Sequence, residues 1–395
     1  MDRYTPSAME RAMRVQEVIL KAMSGELYWF EAAEILGVTC RTMRRLKLRY
    51  AKYGYDGLVD RRRRDPSPKR VPLEQAQRVL RLYREDYPGW NVRHFHEKLS
   101  EEHGIQLSYT WVKQALQGAG LVTKGRRRQK HRQRRERRPM RGMMVFCDGS
   151  THGWLCLPDG RRQDLMAFLD DATGEVLSAF LVDEEGTLPV MAGLREVIKN
   201  HGLFCSFYTD RGSHFFHTPK AGGAVDRTQL TQVGRALAQL DIEHIASYSP
   251  QGRGRMERFF RTWQGRLPQE LRKAGISDLA SANRYIRHRM IPWHNRRLTV
   301  APADPTSAFT RCTVQDLDGV LCLQHERIVQ NDNTVSLGSK VLQLASSAWR
   351  SSFAKCRVRV CEHLDGTLTV RFGPRIIGRY AATGRPLTLA KSAAA

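Results

Sequence analysis

The 395-residue sequence is short of several things, and each shortage closes off a class of function. No apolar run approaches the roughly 20 residues of a membrane-spanning helix, so no span is expected. The opening Met-Asp-Arg-Tyr-Thr-Pro lacks the charged-then-apolar order of a secretory signal, so a cytoplasmic location is expected. No C-x2-C spacing occurs among Cys40, Cys147, Cys156, Cys205, Cys312, Cys322, Cys356 and Cys361, which argues against zinc fingers and ribbons and predicts reduced, buried thiols. Acid is also scarce: 40 Asp and Glu face 65 Lys and Arg, and the net charge of +25 calls for a polyanionic partner, nucleic acid first. The apolar share of 41% is too high for a disordered basic tail, and a chain this long holds several domains at roughly 100–200 residues each.

Residues 11–58 read as helices with a tight break at Gly37-Val38. Val15, Val18, Ile19 and Met23 recur at helical spacing, and Phe30, Ala33, Ile35 and Leu36 follow on a second segment. Thr39 then caps a helix expected to turn Thr42, Met43, Leu46 and Leu48 inward and to present Arg41, Arg44, Arg45, Lys47 and Arg49. A helix, a short turn and a basic helix suit a helix-turn-helix whose second helix enters the major groove; an ordinary helical hairpin with a solvated basic face has the same pattern. A second helical block over 72–121, with a Ser108-capped last helix, repeats the motif with only Lys113 and Gln114 as groove readers. Between residues 124 and 141 stand 11 Lys or Arg against Glu136 alone, a block that repels itself into an extended linker able to track phosphates, Arg126, Arg127 and Arg128 among them.

From Gly142 the pattern turns to mixed α and β. Strands are expected at 143–147, 164–169, 175–182, 203–208 and 242–246, with helices at 188–200, 228–240 and, opened by Ser249-Pro250, 249–274. An antiparallel meander leading into parallel crossovers describes a layered domain of ribonuclease H type. Beyond 326, short alternating strands such as Val358/Val360 and Leu368/Val370/Phe372 flank an Asp365-Gly366 turn. The expected chain is therefore multidomain α+β: a helix-turn-helix at 1–60, a second helical domain at 71–122, a basic linker at 123–141, an α/β ribonuclease H-like core with a helical extension at 142–310, a small all-β barrel at 313–385 and a frayed tail at 386–395.

This topology would gather three acids: Asp148 at the end of the first strand, Asp210 at the end of the fourth and Glu257 near the start of the last core helix. Converging carboxylates raise one another's pKa unless a cation sits among them, and hard oxygen donors suit Mg²⁺ or Mn²⁺. Two such ions can activate a water or 3′-hydroxyl and stabilise the leaving oxygen of a phosphodiester. Each acid also has an ordinary reading, as a turn residue or as half of an i, i+4 pair with Arg253 or Arg261, and Asp164, Asp170, Asp171, Asp183, Glu184 and Glu185 are rival acids in the same domain. His214 reads as a packing residue or as one that positions the attacking hydroxyl, and Trp154 as core or as a base-stacking platform.

Val145-Phe146-Cys147-Asp148-Gly149-Ser150, Tyr208-Thr209-Asp210-Arg211-Gly212-Ser213-His214-Phe215 and Tyr248-Ser249-Pro250-Gln251-Gly252-Arg253-Gly254-Arg255-Met256-Glu257-Arg258 resemble the three-part signature of retroviral-integrase-type DDE recombinases. The wider arrangement, with His294-Asn295-Arg296 and Asn331-Asp332-Asn333-Thr334-Val335, resembles the ISNCY-type bacterial insertion-sequence transposases over nearly the full length. The resemblance implies a metal-dependent DNA strand-transferase that binds the terminal inverted repeats of its own mobile element, acts as a homo-oligomer near the nucleoid, and uses Asp148, Asp210 and Glu257 as catalytic acids on about two Mg²⁺ or Mn²⁺ ions. Arg211, Arg253, Arg255, Arg258 and Arg261 would hold phosphates beside the scissile bond. The 47-residue interval from Asp210 to Glu257 is longer than the family's usual one, and a surface insertion at 217–226 would absorb the excess. Two other readings share parts of this pattern: a non-catalytic helix-turn-helix regulator, and a ribonuclease H-like nuclease that cuts without joining.

Overall fold

The computed structural model describes residues 6–59, 71–125, 135–219, 223–248, 253–347 and 349–387. It divides into two compact units, Met1–Arg84 and Glu85–Ala395.

In the first unit, α1 (Pro6–Met23), α2 (Trp29–Ile35) and α3 (Cys40–Tyr53) close over Val18, Ile19, Ala22, Ala32, Ala33 and Met43. Burying a side chain the size of Ile19 or Met43 stabilises such a bundle by roughly 1.5–3 kcal/mol. Gly37 takes φ +62°, a conformation that costs a glycine little, and lets the chain reverse after α2. Thr39 caps α3 as expected, its hydroxyl accepting the Thr42 N–H at 3.2 Å. Arg41, Arg44, Arg45 and Lys47 are exposed. Thr42 and Leu48 are exposed too, against expectation. On the 3.6-residue period Met43, Leu46 and Tyr50 share the inward face, and residues 42 and 48 fall beside it. A further helix, α4 (Leu73–Glu85), completes the unit.

The second unit is organised by a five-stranded sheet of β1 (Met144–His152), β2 (Gln163–Asp170), β3 (Val176–Val182), β4 (Ser206–Thr209) and β5 (Glu243–Ala246), in the order β3-β2-β1-β4-β5. The first three strands are antiparallel and β1, β4 and β5 run parallel, the expected meander followed by crossovers. Every residue of β2 is buried, which places the strand inside two covering layers. One layer is α7 (Thr187–His201) with α8 (Gln232–Gln239). A Cβ at Gly193 would stand 2.0 Å from the Phe168 ring, so α7 lies on β2 at a distance only glycine permits. The other layer is α9 (Gly254–Gln264), α10 (Leu267–Lys273), α11 (Leu279–Tyr285) and α12 (Ile291–Arg297), packed through Met256, Phe259, Trp263 and Leu271. The single helix expected over 249–274 is thus two, because Gly265 and Pro268 interrupt it; 249–252 lie outside the described residues.

Ahead of the sheet, α5 (Val92–Glu101) and α6 (Tyr109–Gly118) are capped by Asn91 and Ser108. Ion pairs and a histidine hydrogen bond fasten α5 to the helical layer. Arg266 makes a two-pronged bond to Glu97 at 2.9 and 3.0 Å, His94 and Lys98 meet Glu270 at 2.7 and 3.1 Å, and Lys273 meets Glu102 at 2.5 Å. Burial pushes the Glu270 and Glu102 carboxyls up, yet their hydrogen bonds and cationic neighbours outweigh it and hold both at about 2.

The expected barrel is not there. β6 (Leu323–Ile328), β9 (Arg357–Glu362), β10 (Leu368–Phe372) and β11 (Arg375–Tyr380) form an open sheet ordered β11-β10-β9-β6, while β7 (Thr334–Leu337) and β8 (Lys340–Gln343) form a separate hairpin. The hairpin joins by side-chain packing, with Val335 and Leu342 against Val358, Val360, Leu368 and Val370, so no strand ladder closes the ring. The segment 307–310 runs along the base of the core: Leu203 and Thr310 exchange backbone bonds at 2.8 and 2.9 Å, and Ala308 donates to Arg141 at 2.8 Å. Past it, Arg235 of α8 donates to the carbonyls of Val320 and Cys322 at 3.1 and 2.6 Å. Residues 388–395 lie outside the described part. All eight cysteines are free, with Cys147, Cys322 and Cys361 buried and Cys40, Cys156 and Cys205 exposed. No described helix is long and apolar enough to cross a membrane.

Candidate active site

Pairing of β1 with β4 ends at Phe146 and Tyr208, but β1 continues to His152 against β2. A notch opens where β4 stops. Asp148 stands in it two residues past the last β1–β4 pair, mid-strand and not at a strand end, and Asp210 follows the final residue of β4. The two aspartates are brought together by Arg253, the residue ahead of α9: one guanidinium nitrogen bonds Asp148 Oδ1 and the other lies 3.9 Å from Asp210 Oδ2. Asp210 Oδ1 accepts the Gly212 N–H at 2.9 Å, which fixes its orientation. Burial pushes the Asp148 carboxyl up to about 7; Arg253 pulls it down, and the charges of Asp210 and Glu185 push it further up.

Glu185, only one of several rival acids in the sequence, borders this notch. It sits in the turn between β3 and α7, its N–H donating to Asp164 Oδ2 at 2.8 Å. A Cβ at Gly149 would lie 2.1 Å from Glu185 Oε2, so the carboxylate rests against the strand next to Asp148. Its other oxygen is 3.3 Å from His214 Nε2, and a Cβ at Gly212 would meet both Asp210 and His214 at 3.1 Å. Asp148, Asp210, His214 and Glu185 therefore border one notch, with glycines at the two tightest points. Burial, then the charges of Glu185, Asp148 and Asp210, push the Cys147 thiol well above its ordinary value and keep it neutral. Beneath Asp210, His244 stacks on Phe216 and contacts Thr209 Oγ1 at 3.0 Å; burial drops its pKa to about 3.

Glu257 is exposed in the first turn of α9. Among the described residues, no three acidic, histidine or cysteine side chains are gathered to hold a metal ion. What does fit a cation is the aspartate pair. Two hard carboxylates already share one positive group, and Arg253 is a stand-in ion supplied by the chain itself.

The basic residues divide. Arg258 and Arg261 are exposed on α9. Arg255, expected at a phosphate, is turned inward: with Arg135 it meets the fully buried Asp171, and it also donates to the Arg135 carbonyl at 2.8 Å. Asp171 further accepts the Arg138 N–H at 2.7 Å, and Arg137 donates to the carbonyls of Asp171 and Ala172. The end of the basic segment, residues 135–138, is thereby anchored to the domain through Asp171, because a buried carboxylate needs compensating cations; 126–134 lie outside the described residues. Arg126, Arg127 and Arg128 lie outside the described residues. Arg211 donates to the Gly223 carbonyl at 2.8 Å and stacks over Tyr248. The expected insertion is closed by a bridge between His217 and Asp226. Trp154 is fully buried and donates to the Ser150 carbonyl at 2.9 Å, so it is core and no platform for a base.

Residues 42–116 match the homeodomain-like domain family. The y4bF protein of Sinorhizobium fredii (strain NBRC 101917 / NGR234), which carries the name transposase, is 30% identical over 365 residues, 92% of this chain and 79% of that one. The transposase for insertion sequence IS1202 of Streptococcus pneumoniae is 27% identical over 68% of this chain and 65% of its own length. Among solved structures, the HTLV-2 integrase catalytic core domain in complex with magnesium is 17% identical, with a TM-score of 0.29, over 44% of this chain and 94% of that one. The chain belongs to the transposases.

Proposed function

We propose that this transposase cuts one DNA strand at each terminal inverted repeat of its element and joins the freed 3′-hydroxyl to target DNA. The observation that carries the reading is the pairing of Asp148 with Asp210 across one guanidinium, in a notch at the edge of the sheet. Asp148 and Asp210 would hold Mg²⁺ or Mn²⁺, with Glu257 as a third ligand once α9 is seated on DNA. One or two such ions, when bound, would acidify the attacking hydroxyl and offset charge on the leaving oxygen. The chain's own contribution is position and charge. The strand framework fixes where the two aspartates stand, and Arg258 and Arg261 offer exposed guanidiniums to flanking phosphates. The exposed Arg41, Arg44, Arg45 and Lys47 of α3 would read or clamp the element end in the major groove, with Arg126, Arg127 and Arg128 following the backbone beside it. Joining two ends in one event asks for an oligomer.

The test is a reaction of the full chain with its element's ends, Mg²⁺ and a target plasmid. Covalently joined product from wild type, with none from Asp148→Asn although end binding persists, supports the reading. Cleavage without joining would make the protein a nuclease, and binding without metal-dependent nicking would make it a regulator.

A further inference from the structure

The Arg253 bridge is more than one ion pair among many. The guanidinium spans the two carboxylates a divalent ion would need, leaning on Asp148 and reaching Asp210 at 3.9 Å. Asp148 keeps only 13% of its side chain exposed, and Arg253 keeps 34%. A cation shared by both carboxylates would compete with this group for them. Among the described residues, the ion-pair partners of Arg253 are Asp148 and Asp210; it is half-buried ahead of α9 and makes no side-chain capping bond there. By contrast, its neighbour Arg255 is committed to the buried Asp171 and holds the start of α9 against the core whichever way Arg253 points.

We propose that Arg253 is a built-in competitor for the catalytic cation: it neutralises Asp148 and Asp210 in the unloaded protein and must leave them before a divalent ion can bind. The inference rests on Asp148 and Asp210 being the cation-holding pair. Its consequence is that the transposase pays for metal loading by breaking an internal bond, which keeps the unassembled protein poorly loaded at low metal concentration. Loading and release of Arg253 are then two faces of one equilibrium, and removal of the guanidinium must tighten metal binding by the strength of the bond it made.

The experiment titrates the full-length protein, without DNA, with Mn²⁺ and follows loss of the free-ion electron paramagnetic resonance signal, for wild type, Arg253→Gln, Arg253→Lys and Asp148→Asn. The expected result is an Asp148-dependent site that binds Mn²⁺ roughly fivefold or more tightly in Arg253→Gln than in wild type, with Arg253→Lys in between, since lysine keeps the charge but not the two-pronged reach. Circular dichroism identical to wild type accompanies the comparison, and Arg253→Lys guards against a loss of fold in the glutamine variant. An Asp148-dependent site with unchanged or weaker affinity in Arg253→Gln overturns the competitor role and leaves the aspartate pair standing. A titration in which Asp148→Asn binds Mn²⁺ as well as wild type overturns both.

Discussion

Asp148 offers a stability measurement that needs neither DNA nor metal. Its carboxyl is pushed to about 7, chiefly by burial, from an ordinary 3.8. The native state thus holds a proton that the unfolded chain has released throughout the interval between those values. Stability from this group is complete below about pH 4, where both states are protonated, and it falls as pH rises towards 7, above which the loss is constant. At 1.36 kcal/mol per unit, a rise of about three units amounts to about 4 kcal/mol at most. Asp148→Asn removes the titration. It also weakens the hold on Arg253; in wild type that bond strengthens as Asp148 ionises and is already part of where its carboxyl titrates, so the difference in slope between the two proteins reports the carboxyl together with its bridge. Urea unfolding in EDTA at pH 5 and pH 8 should show wild type losing about 2–3 kcal/mol relative to Asp148→Asn between the two, since about two of the three units lie above pH 5. Parallel pH profiles for the two proteins would refute the buried-carboxylate account of the notch.

Two further outcomes follow from the geometry. Gly149→Ala places a methyl 2.1 Å from Glu185 Oε2 and must expel that carboxylate, so it and Glu185→Gln should each reduce strand transfer roughly 10- to 100-fold while thermal unfolding stays cooperative; full activity in both would remove Glu185 from the site. Glu270 and Glu102 are held at about 2 against an ordinary 4.5, so the stability they contribute is present above pH 4.5 and is lost as pH falls towards 2. Limited proteolysis near residues 103–108 should therefore become faster below pH 4 before the sheet unfolds, and an unchanged cleavage rate down to pH 2.5 would contradict the ion-pair docking of α5.

The layered core and the aspartate pair were legible from short apolar runs ending in Asp, because strand periodicity and turn chemistry are local. Asp170-Asp171-Ala172-Thr173-Gly174 shows this well. Gly174, at φ +76°, donates to the Asp170 carbonyl at 2.8 Å, while Asp170 caps Thr173, a turn the residues themselves dictate. Long-range compensation was not legible. Nothing in the spacing of Asp171, Arg135 and Arg255 says that a turn acid would be buried and take two guanidiniums from segments 36 and 84 positions away. Glu185 stood among the rival acids and was not singled out for a related reason, since it comes beside Asp148 by way of a glycine on another strand. A signal did exist: Glu185-Gly186 directly precedes the helix after the third strand, at the sheet edge where Asp148 and Asp210 emerge. The barrel failed because alternating residues specify which face is buried but not which edges pair. Leu48 failed because a basic helix carries apolar residues on faces that the bundle does not cover.

The run from 307 to 322 makes the terminal sheet something other than a tethered module. Thr310 is laced to Leu203, a Cβ at Gly202 would sit 2.2 Å from the Thr310 carbonyl, and Leu321 is fully enclosed among the α7 and α8 side chains. A fragment that stops short of this run would bare an oily flank of the α7–α8 layer and lose solubility. In the whole molecule, the arginine-bearing β9 and β11 share one compact unit with the Asp148–Asp210 notch.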